Sequence, residues 1–281
     1  MIITTIKELR AYLDTQRKSG KTIGLVPTMG FLHEGHLSLI RRAKAENHIV
    51  VMSDFVNPTQ FAPNEDFESY PRNIEHDEQL ATDAGADVIF YPSVEEMYPN
   101  GSSTFVEAEG DITKVLCGAS RPSHFKGVTT VVAMLFNIVQ PQKAYFGQKD
   151  AQQAAVLIKM ATDLHMNIEL IVCPIVREED GLAMSSRNTY LSANERAQAV
   201  ILNQALVKAK TIFENGEHNV PNLIKTITDK ITEMPLADID YVSVYEYPSL
   251  KTIETVKEKA LAAVAVRFGK TRLIDNIILE K

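Results

Sequence analysis

The stretch Ile23-Gly-Leu-Val26-Pro27-Thr-Met-Gly30-Phe-Leu-His33-Glu-Gly35-His36 decides the fold. Residues 23–26 form a short apolar strand, Pro27 is expected to end it, and a glycine-punctuated turn leads to a helix beginning near His36. The same alternation extends outward in both directions. Upstream, Thr5-Ile-Lys-Glu8 is a capping box, and Ile6, Leu9 and Leu13 share one helical face until Ser19-Gly20 stops it. Downstream, 49–56 reads as a strand with Asn57-Pro58 as its turn, 74–84 as a helix ended by Gly85, and 87–90 as a strand. Val128, Val131, Val132, Leu135, Ile138 and Val139 sit at helical spacing, so 128–139 is a buried helix ended by Pro141. Strand 143–146, a helix from Asp150 to about residue 165, and strand 168–173 close the series.

Strands separated by helices imply a parallel sheet with right-handed crossovers. The expected fold is therefore α/β, with a Rossmann-like doubly wound sheet over residues 1–175. Ligands in such sheets sit beyond the carboxyl ends of the strands, which selects the turns after Val26, Val56, Phe146 and Val176. Residues 176–281 differ. A second capping box, Ser192-Ala-Asn-Glu195, opens a long helix to about residue 215. A helix over 221–233 and strand-like runs at 241–245, 261–268 and 272–279 follow, giving a smaller α+β domain joined near 175–190.

The chain has 281 residues with 29 Lys and Arg against 36 Asp and Glu, a formal charge of −7. Phosphate-backbone affinity needs a dense basic surface, so nucleic acid is not expected as a partner. At 45% hydrophobic and 23% charged residues the composition is that of an ordinary globular protein. The longest apolar run, residues 260–266, is far short of the ~20 residues that span a bilayer, and the N-terminus lacks the apolar core of a signal peptide. A soluble, cytoplasmic chain is expected. Cys117 and Cys173 fit neither a disulfide scaffold nor a thiolate zinc site.

Two familiar phosphate motifs fail by counting. Gly20-Lys21-Thr22 and Gly269-Lys270-Thr271 lack the upstream P-loop glycine, which is Thr15 or Val264 here, and no Gly-x-Gly-x-x-Gly follows the first strand. His33 and His36 are three apart across a glycine, not the four of a zinc-protease helix. The segment 27–36 still suits phosphate, because a helix N-terminus offers unpaired N–H groups and a favourable dipole. The alternative is a turn with two solvated histidines. Phe146-Gly147-Gln148-Lys149-Asp150-Ala-Gln-Gln153 has the same geometry, and Lys149 could stabilise charge on a transferring phosphoryl group. Its alternative is structural: Asp150 as N-cap with Gln153 as its N3 partner. In Met184-Ser185-Ser186-Arg187, two hydroxyls and a guanidinium could grip phosphate oxygens, although a surface loop could carry them by chance.

Together these residues resemble one family. Pro27-Thr-Met-Gly30 with His33-Glu-Gly-His36 is similar to the His-x-Gly-His signature of the nucleotidyltransferase superfamily that includes class I aminoacyl-tRNA synthetases. Met184-Ser-Ser-Arg187 resembles its mobile Lys-Met-Ser-Lys-Ser loop without the lysines. More narrowly, Phe55-Val-Asn-Pro-Thr-Gln-Phe61, Tyr70-Pro-Arg72, Arg121-Pro-Ser-His-Phe-Lys-Gly127, Phe146-Gly-Gln-Lys-Asp150 and Ser185-Ser-Arg-Asn188 resemble the pantoate–β-alanine ligases, in that family's order.

The resemblance implies ATP-dependent joining of pantoate to β-alanine through a pantoyl adenylate, with Mg2+ on the phosphates and a homodimeric assembly. It implies that Met29, Gly30, His33, Gly35 and His36 hold ATP, His36 acting as proton donor or transition-state stabiliser and His33 as its companion. Gly147, Lys149 and Asp150 would hold phosphate and ribose, Val176 would lie beside adenine, and Met184, Ser185, Ser186 and Arg187 would close over the phosphates. Gln60 and Gln153 match the pair that holds pantoate; Gln60 also has the reading of a plain turn residue. Asp77 is the candidate magnesium ligand, with the phosphates supplying most of the coordination. Asp54 stands where the strand calls for an apolar residue, and the sequence offers no function for it. A different nucleotidyl transferase and an ATP-binding sensor on the same scaffold are the competing readings.

Overall fold

The computed structural model describes residues 1–63, 65 and 67–281. In chain order they form β1 (Ile2–Ile3), α1 (Ile6–Lys18), β2 (Ile23–Thr28), α2 (Glu34–Glu46), β3 (Ile49–Asp54), α3 (Ile74–Ala84), β4 (Val88–Phe90), α4 (Val94–Met97) and α5 (Cys117–Ser120). There follow α6 (His124–Val139), β5 (Lys143–Gly147), α7 (Ala151–Asp163) and β6 (Glu169–Cys173). The remainder comprises α8 (Ala193–Ala199), α9 (Ile201–Glu214), α10 (Val220–Ile231), β7 (Ala237–Glu246), β8 (Lys259–Phe268) and β9 (Thr271–Glu280). Single 3-10 turns lie at Pro58–Gln60, Gln148–Asp150 and Ser186–Tyr190.

The first six strands make one parallel sheet in the order β1-β4-β3-β2-β5-β6. Apolar side chains from β2, β3 and β4 pack with α1 and α6 on one face, and with α2 and α3 on the other. Covering both faces is what an all-parallel sheet requires, and it is why these strands are apolar without alternation. Strand order reverses between β2 and β5, so the turns leaving these neighbours diverge and open a crevice at their carboxyl ends. The turns that open it are those carrying His33 and Lys149. The last three strands form an antiparallel sheet β7-β8-β9, with α9 and α10 packed on it. Leu261 and Ala263 of β8 also meet Ala151 and Ala155 of α7, joining the two sheets through a small apolar cluster. The expected doubly wound sheet with a smaller α+β region is borne out.

Several boundaries differ from the sequence expectation. Pro27 does not end its strand, which runs to Thr28. β2 pairs with β5 only through Gly24 and Leu25, whereas its ladder with β3 reaches Thr28, so the missing N–H of Pro27 is tolerated where one side is unpaired. The buried helix begins at His124, four residues early. The long helix after Ser192 is two, α8 and α9, divided at Val200 with neither glycine nor proline to mark the break. Among the described residues no helix is long and apolar enough to cross a membrane.

Candidate active site

The first junction is built from its own surroundings. His33 is the N-cap of α2, and its Nδ1 accepts the Gly35 N–H at 3.1 Å. The Nδ1 of His36 accepts the His33 N–H at 3.3 Å, and the ring centroids lie 4.1 Å apart. Each ring therefore uses Nδ1 as an acceptor, and in its neutral form carries the proton on Nε2. Burial, reinforced by the Lys149 ammonium, lowers His33 to about 4. Burial, then His33, then Lys149 hold His36 well below its usual range. At neutral pH the pair is uncharged and can offer Nε2–H to an anion.

The turn before them is strained and anchored from below. Gly30 has φ +77°, and a Cβ there would stand 2.3 Å from Asp54 Oδ1. Phe31 follows with φ +48°, a conformation that needs outside support. Asp77, fully buried at the start of α3, supplies it: its carboxylate oxygens accept the N–H groups of Phe31 at 2.6 Å and Leu32 at 2.7 Å. Asp54, 4% exposed at the end of β3, lies against Asp77. Burial first, and Asp77 second, push it up to about 7. The unexplained Asp54 is thus half of a buried acid pair beneath the Gly30 turn. Asp77, the candidate magnesium ligand, has both oxygens turned onto backbone amides and is not among the residues lining the cleft.

Gln60 sits in the 3-10 turn after β3, 9% exposed, donating to Met29 Sδ at 3.1 Å and accepting from Asn57 Nδ2 at 3.1 Å. Its main-chain carbonyl accepts from Arg121 Nη2 at 3.3 Å and from His124 Nδ1 at 3.0 Å. Arg121 also pairs with Glu65 at 2.7 Å. His124, lowered to about 4 by burial and then by Arg121, is neutral with its proton on Nδ1 and its Nε2 facing Arg121 Nη1 at 3.1 Å. α6 approaches this turn so closely that a Cβ on Gly127 would meet the Thr59 carbonyl oxygen at 2.5 Å. Asn57, Arg121 and His124 were missed as site residues. Arg121 and His124 lie within a quoted family motif, but nothing local shows that they turn onto Gln60.

The second junction leaves β5 through the turn Gln148–Asp150 into α7. Asp150 is the N-cap position but makes no capping bond, so the N-cap reading with Gln153 is not what the structure shows. Lys149 Nζ lies 3.6 Å from Asp150 Oδ1. The third segment is a small hairpin over 176–184: Arg177 bridges Ala183, and the Met184 N–H donates to the Val176 carbonyl at 3.0 Å. It presents Ser185, which caps the next turn through the Arg187 N–H, and Ser186, whose hydroxyl reaches the Phe31 carbonyl at 3.4 Å.

One cavity of about 240 Å³ gathers all three segments. Its wall includes Met29, His33, Gly35, His36, Gln60, Gly147, Lys149, Asp150, Gln153, Val176, Met184, Ser185, Ser186 and Arg187. Gly30 and Asp77 stand behind the wall. Val128, Val131, Val132 and Leu135 of α6 and Phe146 of β5 give it an apolar side beside the two glutamines. Such a chamber can hold a small acid with apolar and hydroxyl groups next to a polyphosphate.

A family model described as pantoate-beta-alanine ligase matches residues 1–278. A pantothenate synthetase of Acetivibrio thermocellus is 58% identical over 279 residues, covering 99% of each chain. One from Caldicellulosiruptor saccharolyticus is 54% identical, covering 100% of this chain and 99% of its own. The crystal structure of pantothenate synthetase from Thermus thermophilus is similar with a TM-score of 0.94 at 45% identity, covering 100% of this chain and 99% of that one. A pantoate-beta-alanine ligase from Francisella tularensis, complexed with beta-gamma ATP and beta-alanine, has a TM-score of 0.81 at 35% identity, covering 100% and 98%.

Proposed function

This chain belongs to the pantoate-beta-alanine ligase family, and on that premise we propose that it makes pantothenate from pantoate, β-alanine and ATP through a pantoyl adenylate. The observation that carries the reading is the single cavity in which His33, His36, Lys149 and the 185–187 loop meet Gln60 and Gln153.

The pantoate carboxylate attacks the α-phosphorus of ATP, and the bond to pyrophosphate breaks. The amine of β-alanine then attacks the acyl carbon, losing a proton as AMP departs. Adenylation is needed because a carboxylate is a poor acyl donor. The site must align two anions while offsetting their charge. Gln60 and Gln153 fix pantoate without adding a cation that would compete for the phosphates, and its methyl groups rest on the α6 wall. His33 and His36 donate Nε2–H to phosphate oxygens, the N-terminus of α2 contributes its amides, and Lys149 supplies positive charge near the breaking bond. Asp150 takes the ribose, Val176 flanks adenine, and Met184, Ser185, Ser186 and Arg187 close over the phosphates and keep water from the anhydride.

Mg2+ would enter with ATP and offset phosphate charge. The phosphates and water would supply most of its ligands. We take residues 1–175 as the nucleotide and pantoate unit and 176–281 as the unit carrying the closing loop. A cytoplasmic homodimer follows from the family likeness alone.

The test is AMP release with ATP, Mg2+, pantoate and β-alanine, omitting each in turn. AMP should form only with the full set, and no AMP with all four present would contradict the reading.

A further inference from the structure

The turn that carries Lys149 lacks support of its own. Gly147, which precedes it, has no side chain to cap with, and Asp150 makes no capping bond to α7. Its support comes from the other sheet. Asn276 of β9 donates from Nδ2 to the carbonyls of both Gln148 and Lys149, each at 2.9 Å. Its Oδ1 accepts from Gln148 Nε2 at 3.3 Å. At 3% exposure, no solvent stands ready to replace these bonds. The neighbouring residue does the same for the opposite wall. Asp275, 2% exposed, takes both Nη groups of Arg177, at 2.7 and 3.0 Å. Arg177 also donates to the Gly181 carbonyl at 3.0 Å, inside the hairpin that presents residues 185–187. One Asp275 oxygen also accepts the main-chain N–H of Asn276 at 2.8 Å, which ties the carboxylate to the backbone from which Asn276 projects.

We propose that Asn276 is a positioning residue for Lys149 and that, with Asp275, it makes β9 the common frame on which the lysine turn and the serine-arginine loop are registered. The proposal rests on the ligase reading for the task of Lys149. A displacement of about 1 Å at a group acting on a transition state can cost roughly 10²-fold in rate, so a donor that fixes the lysine's own carbonyl is well placed to control it. Asn276 touches no substrate in this account and acts only through the backbone of Gln148 and Lys149.

The experiment is a cycle of four proteins: unmutated, Asn276→Ala, Lys149→Ala and the double variant. The readout is pantoate-dependent exchange of labelled pyrophosphate into ATP, with thermal stability measured on the same preparations. Asn276→Ala should lower the exchange rate at saturation about 10- to 100-fold, with little change in the pantoate concentration for half-maximal exchange. In the Lys149→Ala background the same change should cost less than about threefold, because nothing remains to be positioned. Equal losses in both backgrounds would show a purely structural residue and overturn the proposal. If Asn276→Ala does not fold, Asn276→Ser, which keeps one donor, takes its place in the cycle. If the unmutated chain shows no pantoate-dependent exchange, the ligase reading has failed. The positioning claim is then read from the same four proteins as affinity for a non-hydrolysable ATP analogue, with the same non-additivity expected and additivity overturning it.

Discussion

The two strand-to-helix junctions on either side of the crevice look alike in sequence and are held in opposite ways. The junction at Gly30–His36 is supported locally: Asp77 binds the Phe31 and Leu32 amides, and the two histidines cap α2 and each other. The junction at Gly147–Asp150 has no cap and hangs from Asn276, 127 residues away in the second sheet. A nucleotide site of this kind therefore has one half that is pre-formed and one half that depends on the seating of the C-terminal sheet.

The largest effects should come from removing the groups themselves. His36→Ala and Lys149→Ala are each expected to lower the adenylation rate by roughly 10²–10³, the scale of a lost electrostatic stabiliser. Rapid-quench measurement of pyrophosphate release checks this, and near-native rates in either would remove that junction from the comparison.

Next in size is the proton beneath the first junction. Asp54 is held at about 7 in the folded chain by burial and Asp77, above the usual 3.8. Its folded value is the higher one, so the folded state keeps the proton more tightly. That stability is fully present below pH ~4 and is lost as pH rises to about 7, on the order of a few kcal/mol. Urea unfolding at pH 5 and pH 8 should show the decline in the unmutated chain and a flatter profile in Asp54→Asn. Equal slopes would show that the acid pair does not control the turn.

Smaller still is a paired glycine test. Gly30→Ala forces a left-handed residue into the Asp54 carboxyl and should cost about 1–3 kcal/mol. Gly147→Ala meets nothing within 4 Å and should change stability by less than about 0.5 kcal/mol. Equal losses by thermal melting would erase the contrast between the junctions.

Much of this was legible in the sequence wherever the information was local. Five of the six parallel strands show as apolar runs because both sheet faces are covered, while the two-residue β1 is too short to give such a run. Gly85 ends α3 in the left-handed conformation that its residue type favours. His33, Gly35 and His36 lie within one turn of chain, so a strand feeding a helix N-terminus was enough to find them. What escaped depends on distant partners. Asp54 looked misplaced because its meaning comes from Asp77 and Gly30, neither adjacent in sequence. The amide partners of Asp77 escaped because an acidic residue at a helix start gives no sign of which amides it will meet. Asn276 and Asp275 belong to an ordinary strand until β9 is laid against the Lys149 turn. Pro27 was judged by its missing donor, but only the partial ladder with β5 reveals that the donor was not needed.

The most direct measurement of the convergence of the three segments is a crystal structure with a non-hydrolysable ATP analogue and pantoate. The account predicts phosphate oxygens within hydrogen-bond reach of His33 and His36 Nε2, of Lys149 Nζ and of the 185–187 loop, with pantoate between Gln60 and Gln153. A triphosphate bound away from either junction, or pantoate bound outside the glutamine pair, would contradict it.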